Sequence, residues 1–179
     1  VGLLERTGSI QESTQIWWSV RPHHNFGTLE VRVCDGQTEM GEALALAALS
    51  LACIAQFCRD FDAGVPLPAH PGRLIEENMW RAIRHGLDGR MIALARLADR
   101  PTTQAIDELL AWTAPVHHEL GLTPFLARVG TMLSDGNGAQ RQQRRFAALG
   151  DARSVHAEWV ERTRASAEEV LNGLEAVAA

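Results

Sequence analysis

Lysine is absent from all 179 residues, and so is tyrosine, which leaves arginine as the basic side chain at seventeen positions. A chain without lysine has no complete Walker-type phosphate loop, no Schiff-base partner for pyridoxal phosphate and no lysine nucleophile. Any phosphate or carboxylate it grips is gripped by arginine, whose planar fork donates hydrogen bonds in pairs. A strong coding bias in the source genome is the simplest origin of so skewed a composition. Cysteine is sparse too: Cys34, Cys53 and Cys58 form neither a C-x-x-C pair nor a Cys/His array at zinc-site spacing. They read as buried free thiols, which favours a reducing, cytoplasmic setting. The longest apolar run, 43–55, is interrupted by Ser50 and is shorter than a bilayer span. No basic segment leading into an apolar core opens the chain, so no signal peptide is visible. A net charge of −5 argues against a nucleic-acid partner, and nothing points to a membrane. There is no G-x-S-x-G elbow, no G-x-G-x-x-G loop and no cysteine-nucleophile signature.

What is present suits one well-buried domain: 46% of the residues are apolar and 22% charged, ordinary for a globular protein. The richest stretch is Ile16–Asp35. Two alternating segments flank a Pro/Gly loop expected at Pro22–Gly27, which predicts a β-hairpin. Successive strand side chains point to opposite faces, so Leu29, Val31 and Val33 line a core face while Thr28, Glu30, Arg32 and Cys34 line the other. With that loop Arg21 falls opposite Thr28, Ser19 opposite Glu30 and Trp17 opposite Arg32. Arg21, Glu30 and Arg32 then form one ionic cluster. A solvated sheet face with cross-strand ion pairs is the plainer interpretation. Two arginines against one glutamate, beside Trp17 and Cys34, fit a bound anion better.

Downstream the pattern turns helical. Thr38 is placed to cap a helix from Met40 to about Phe61, so apolar all round that it should be buried on most sides and pack behind the hairpin. Three prolines in Val65–Pro71 make a loop. A helix is expected from Arg73 to Gly86, with Gly86 as its C-cap. The run Arg90–Leu94 fits a strand or a helix start equally well. Helices follow at 103–113, broken or kinked at Pro115 before 116–120 resumes. Another spans 124–134, with Thr123 as N-cap and Pro124 at the first helical position, and the turn cluster Ser134–Gly138 leads to helices over 139–149 and 152–177. The arginines at 141, 144 and 145 read as a solvated face. A small antiparallel element followed by mostly helix makes the fold class α+β.

Two further groups of residues carry polar chemistry. The pairs His23-His24 and His117-His118 point in divergent directions, so neither is a metal clamp, although His23 or His24 lies in the hairpin loop where a ligand can be touched. On the helix 73–86, residues Glu77, Asn78, Arg81, Arg84, His85 and Asp88 share one face. That face is either solvated or closes over the ionic cluster and contributes hydrogen bonds to a substrate.

Three ordered motifs, Trp18-Ser-Val-Arg-Pro, Phe26-Gly-Thr-Leu-Glu-Val-Arg-Val-Cys-Asp35 and Glu77-Asn-Met-Trp-Arg-Ala-Ile-Arg-His-Gly-Leu-Asp88, resemble the type 2 glutamate–cysteine ligase family, bacterial carboxylate–amine ligases distantly related to glutamine synthetases. Beyond residue 95 the likeness is only general. The resemblance implies an ATP-dependent ligase that phosphorylates the carboxylate of glutamate to a γ-glutamyl phosphate, which an amine, by default that of cysteine, then attacks. It implies Glu30 as a ligand of a catalytic Mg²⁺, Arg32 as holder of the substrate carboxylate or phosphoryl group, and Arg21 as neutraliser of charge on the transferring phosphate. Asn78 and Arg81 follow as second-rank substrate or nucleotide contacts. Phosphoryl transfer asks for such a set, cations around the equatorial oxygens and a carboxylate-held metal. Members of the family are about twice as long, and this chain begins near the middle of their pattern. It is therefore expected to be the C-terminal portion of one catalytic domain over 1–179, inactive alone, paired with the missing N-terminal half, and in a homo-oligomer. A helical interaction module that keeps the family surface without catalysis is the alternative.

Overall fold

In a computed structural model that describes residues 1–23 and 25–178, the chain forms two compact units, Val1–Gly36 and Gln37–Ala179. The first holds a short helix α1 (Gly2–Arg6), a 3-10 turn at Ser13–Gln15 and an antiparallel hairpin of β1 (Val20–His23) and β2 (Thr28–Val31). Its register pairs Arg21 with Glu30 and His23 with Thr28, two residues away from the expected one. The physical reason lies at Pro22. Ser19 C=O accepts from Arg32 N–H at 2.8 Å, which makes 19/32, 21/30 and 23/28 the hydrogen-bonding pairs and puts Pro22 opposite Leu29 at a position whose N–H is not needed. The proline therefore sits in the strand, and the loop shortens to 24–27, closed by Gly27 N–H to His23 C=O at 3.0 Å. A two-residue shift preserves the faces, so the ionic cluster survives and tightens. The second strand stops at Val31, and Leu29 and Val33 are exposed, contrary to the expected core face. His24 lies outside the described residues.

The second unit contains α2 (Met40–Asp62), α3 (Gly72–His85), β3 (Arg90–Ala93), β4 (Ala98–Pro101), α4 (Thr102–His117), α5 (Thr123–Asp135), α6 (Gly138–Leu149) and α7 (Ala152–Ala178). Its core is built where α2 meets α4 and α5: Ala45, Ala48 and Ala52 of α2 pack on Val116, Leu122, Leu126 and Val129. The expected burial of α2 on most sides is corrected here. Alanines at helical spacing let α5 approach closely, while the bulkier Leu51, Phe57 and Phe61 project to the exterior. By length and composition α2 is long and apolar enough to cross a membrane, so its apolar stretch exceeds the interrupted run at 43–55. It nonetheless carries Glu42 and Gln56 among its buried residues.

Most helix boundaries follow the sequence. Gly86 ends α3 with φ 55°, a conformation that glycine tolerates best, and Gly89 is fixed by space, since a Cβ there would stand 2.8 Å from His85 Cβ. Three details differ. Glu39, not Thr38, occupies the N-cap of α2, with no side-chain cap bond. Leu122, not Thr123, caps α5. Pro115 is carried inside α4, which continues to His117. The ambiguous run at 90–94 is a strand, paired with β4, which periodicity alone had not revealed. Cys34 and Cys58 are exposed free thiols, whereas Cys53 is half-buried, and burial pushes its thiol pKa up.

Candidate active site

Arg21 and Glu30 face each other across the hairpin. Arg21 Nε donates to Glu30 Oε2 at 2.7 Å and its Nη2 lies 2.5 Å from the same oxygen. Nη1 donates to the Thr14 carbonyl at 2.8 Å. That third contact ties the guanidinium to the segment before β1, so Arg21 is locked in place, its side chain only 17% exposed. Arg32 is held more loosely. Its Nη1 stands 3.5 Å from Glu30 Oε1, and its guanidinium carbon lies 5.6 Å from the centre of the exposed Trp17 ring, a cation–π contact. Three residues on one face thus carry two positive charges and one negative. Arg32 has the donors left over for an anion, whereas Arg21 spends its own on Glu30 and the Thr14 carbonyl.

Glu30 accepts doubly at Oε2 and makes a single long contact at Oε1, so Oε1 has lone pairs to offer a cation. Mg²⁺ is commonly held by one or two carboxylates, with water and phosphate oxygens completing the octahedron. Glu30 fits as one such ligand. Among the described residues no cluster of three or more His, Cys, Asp or Glu side chains is placed to hold a metal, so a metal held by Glu30 would need its further ligands from phosphate, water or protein beyond this hairpin. A hollow beside Arg21, lined by Ser13, Thr14 and His23, measures about 20 Å³, room for one water. His23 stacks on Phe26 at 4.5 Å, and its buried Nδ1 has no hydrogen-bond partner among the described residues.

Asn78 and Arg81 belong to the second unit. The Asn78 amide clamps the backbone of β3: Nδ2 donates to Ile92 C=O at 2.9 Å and Oδ1 accepts from Ile92 N–H at 2.8 Å. Arg81 Nε donates to Glu77 at 2.8 Å, and its Nη1 stands 3.6 Å from Asp99, which Arg90 also pairs at 2.5 Å. Arg81 lines an open cleft of about 350 Å³ with Trp80 and His85. Asp88 accepts from Gln140 Nε2 at 2.8 Å. The polar face of α3 is thus largely occupied in joining α3, β3, β4 and α6.

A buried ionic network that sequence reasoning missed lies at the start of α2. Glu42, 1% exposed, accepts from Arg141 Nη2 at 2.7 Å. Glu39 pairs with Arg128 and accepts from Arg162 Nη2 at 2.6 Å. Burial pushes the Glu39 carboxyl up, but the Arg162 hydrogen bond and the charges of Arg128, Arg141 and Arg162 outweigh it and hold the carboxyl below its usual value. The Glu42 hydrogen bond raises the pKa of Arg141 further. Arg141 is therefore not part of a solvated face, although Arg145 remains half-exposed beside Glu158. A carboxylate at the third residue of an apolar helix was the available signal, since such a group is seldom buried unpaired.

The pattern of the glutamate–cysteine ligase family 2 matches residues 1–168. The chain belongs to that family. It is 39% identical over 163 residues to the protein named "Putative glutamate–cysteine ligase 2" of Solibacter usitatus, covering 91% of this chain and 42% of that one. It is 41% identical over 145 residues to the protein of the same name from Gloeobacter violaceus, covering 80% of this chain and 39% of that one. The chain therefore spans about two fifths of the length of the curated relatives it matches. The family match also runs well past residue 95, so the likeness there is closer than the motifs alone suggest, and the helices after the second hairpin belong to the shared pattern.

Proposed function

We propose that this chain forms part of an ATP-dependent carboxylate–amine ligase acting on glutamate, with cysteine the default amine. The observation that carries the reading is the Arg21–Glu30–Arg32 cluster on one face of the hairpin, in a chain of the glutamate–cysteine ligase family 2. In the reaction proposed, an oxygen of the glutamate side-chain carboxylate attacks the γ-phosphorus of ATP and ADP leaves. The amine then attacks the acyl carbon of γ-glutamyl phosphate, inorganic phosphate departs, and the amine loses a proton as the amide forms. Arg32, with its unspent donors, would hold the substrate carboxylate or phosphoryl oxygens bidentately. Arg21 orients Glu30 through its paired hydrogen bonds while adding positive charge beside the transferring group. Glu30 Oε1 would be one ligand of Mg²⁺, which when bound neutralises phosphate charge. The relatives' greater length supports a further part of the catalytic domain supplying the remaining ligands, with this chain inactive by itself; a cytoplasmic homo-oligomer completes the proposal.

The test is phosphate release from ATP with Mg²⁺, L-glutamate and a panel of amines including L-cysteine, on a protein of the relatives' full length carrying this segment and on the 179-residue chain alone. Glutamate-dependent release by the long form only is the expected result. Absence of release from well-folded long protein with every amine would favour the non-catalytic interaction module.

A further inference from the structure

A cleft of about 490 Å³ opens in the helical unit between the loop at Pro68, the second hairpin and α4, and the phosphoryl chemistry proposed above makes no use of it. Its walls are mostly apolar, formed by Ile92, Leu109 and Trp112. Each wall is fixed from behind. The Asn78 amide holds the Ile92 backbone at 2.8 and 2.9 Å. Trp112 Nε1 donates to Asp60 at 3.0 Å, and its ring meets Phe57 edge-on at 4.6 Å. Glu108 is paired with Arg100 and accepts from Gln104 at 3.1 Å.

Charge is left over in this cleft. Arg96 lines it with no hydrogen bond or ion pair from its guanidinium among the described residues, and the buried Nε of Arg100 has no partner. Glu108 balances one of the two arginines, so the lining keeps an uncompensated positive charge. The turn that presents Arg96 is strained: the next residue, Leu97, has φ 50°, a left-handed conformation that a leucine adopts rarely and that persists where surroundings impose it.

We propose that this cleft binds a small carboxylate with an apolar body, its carboxylate at Arg96 and Arg100 and its apolar portion against Ile92, Leu109 and Trp112. Two sources share that chemistry. One is an apolar α-amino acid, a kind of amine that the ligase reading admits as acceptor, and that role rests on the reading; the other is a simple carboxylate without an amine.

The test is calorimetric titration of the 179-residue chain, without ATP or Mg²⁺, using L-norleucine, hexanoate and the uncharged-carboxyl analogue L-norleucinamide. Saturable binding of at least one carboxylate, at least ten-fold tighter than the amide, is expected. Arg96→Ala should weaken it about ten-fold, as loss of a charge-assisted bond does, and Ala105→Phe, which fills the cleft from α4, should abolish it with the thermal melt unchanged. Norleucine binding without hexanoate binding identifies an amino acid, and equal binding identifies a simple carboxylate; both uphold the site. No saturable heat from either carboxylate, equal affinity for the amide, or full affinity in both variants overturns it. Because no nucleotide is present, a failure here leaves the ligase reading standing, and a failure of phosphate release leaves the cleft standing.

Discussion

At the scale of single residues, exposed and buried ion pairs have opposite uses in this chain. Glu30 is half-exposed, and pairs of that kind contribute on the order of 0–1 kcal/mol to stability. Glu30→Ala should leave the thermal melt within a few degrees of wild type while removing Mg²⁺-dependent turnover in the long protein. A collapse of folding instead would make Glu30 a structural residue. Glu42 behaves differently because it is fully buried against Arg141. Glu42→Gln removes the main carboxylate partner of a mostly buried guanidinium, leaving it only the more distant Glu39, and should cost about 3 kcal/mol, whereas replacing both partners by methionine should cost far less. Chemical denaturation of the three proteins measures the difference.

At the scale of elements, one amide side chain holds the backbone of the second hairpin to α3. Asn78 spends a donor and an acceptor on Ile92, and Asn78→Ala would strand both backbone groups, a loss of about 2 kcal/mol that urea denaturation should record. Leu97→Gly should act in the other direction, stabilising by up to about 1 kcal/mol as the left-handed strain is removed. The helices were legible because their signals are local: Gly86 closes α3 and Pro124 lies in the first turn of α5. The first hairpin was legible as a face pattern but not as a register, because Pro22 reads as a loop residue until a strand position is found where its N–H is not needed. The second hairpin was hidden because its strands are four residues each, too short for periodicity to separate from a helix start. Arg21, Glu30 and Arg32 were legible as a cluster since alternation alone puts them on one face. The Asn78 clamp and the Glu42–Arg141 pair join residues far apart in sequence, and no local pattern announces such contacts.

At the scale of the whole molecule, the acid response follows from the network that ties α2 to α5, α6 and α7. The Glu39 carboxyl titrates below its usual range when folded, and so does that of Asp151, chiefly through its Ser154 hydrogen bond. A depressed folded pKa adds stability above the unfolded value and loses it as pH falls through the folded one. The melting temperature should therefore hold level down to the ordinary carboxylate range and drop below it, and Glu39→Gln should flatten part of that drop. In the first unit, the proposed role of the hairpin cluster in acyl phosphate formation has a direct isotopic test. L-Glutamate labelled with ¹⁸O in its side-chain carboxylate, given to the long protein with ATP, Mg²⁺ and an accepted amine, should yield inorganic phosphate carrying one labelled oxygen, and Glu30→Ala should yield none. Release of unlabelled phosphate alongside amide product would contradict the account.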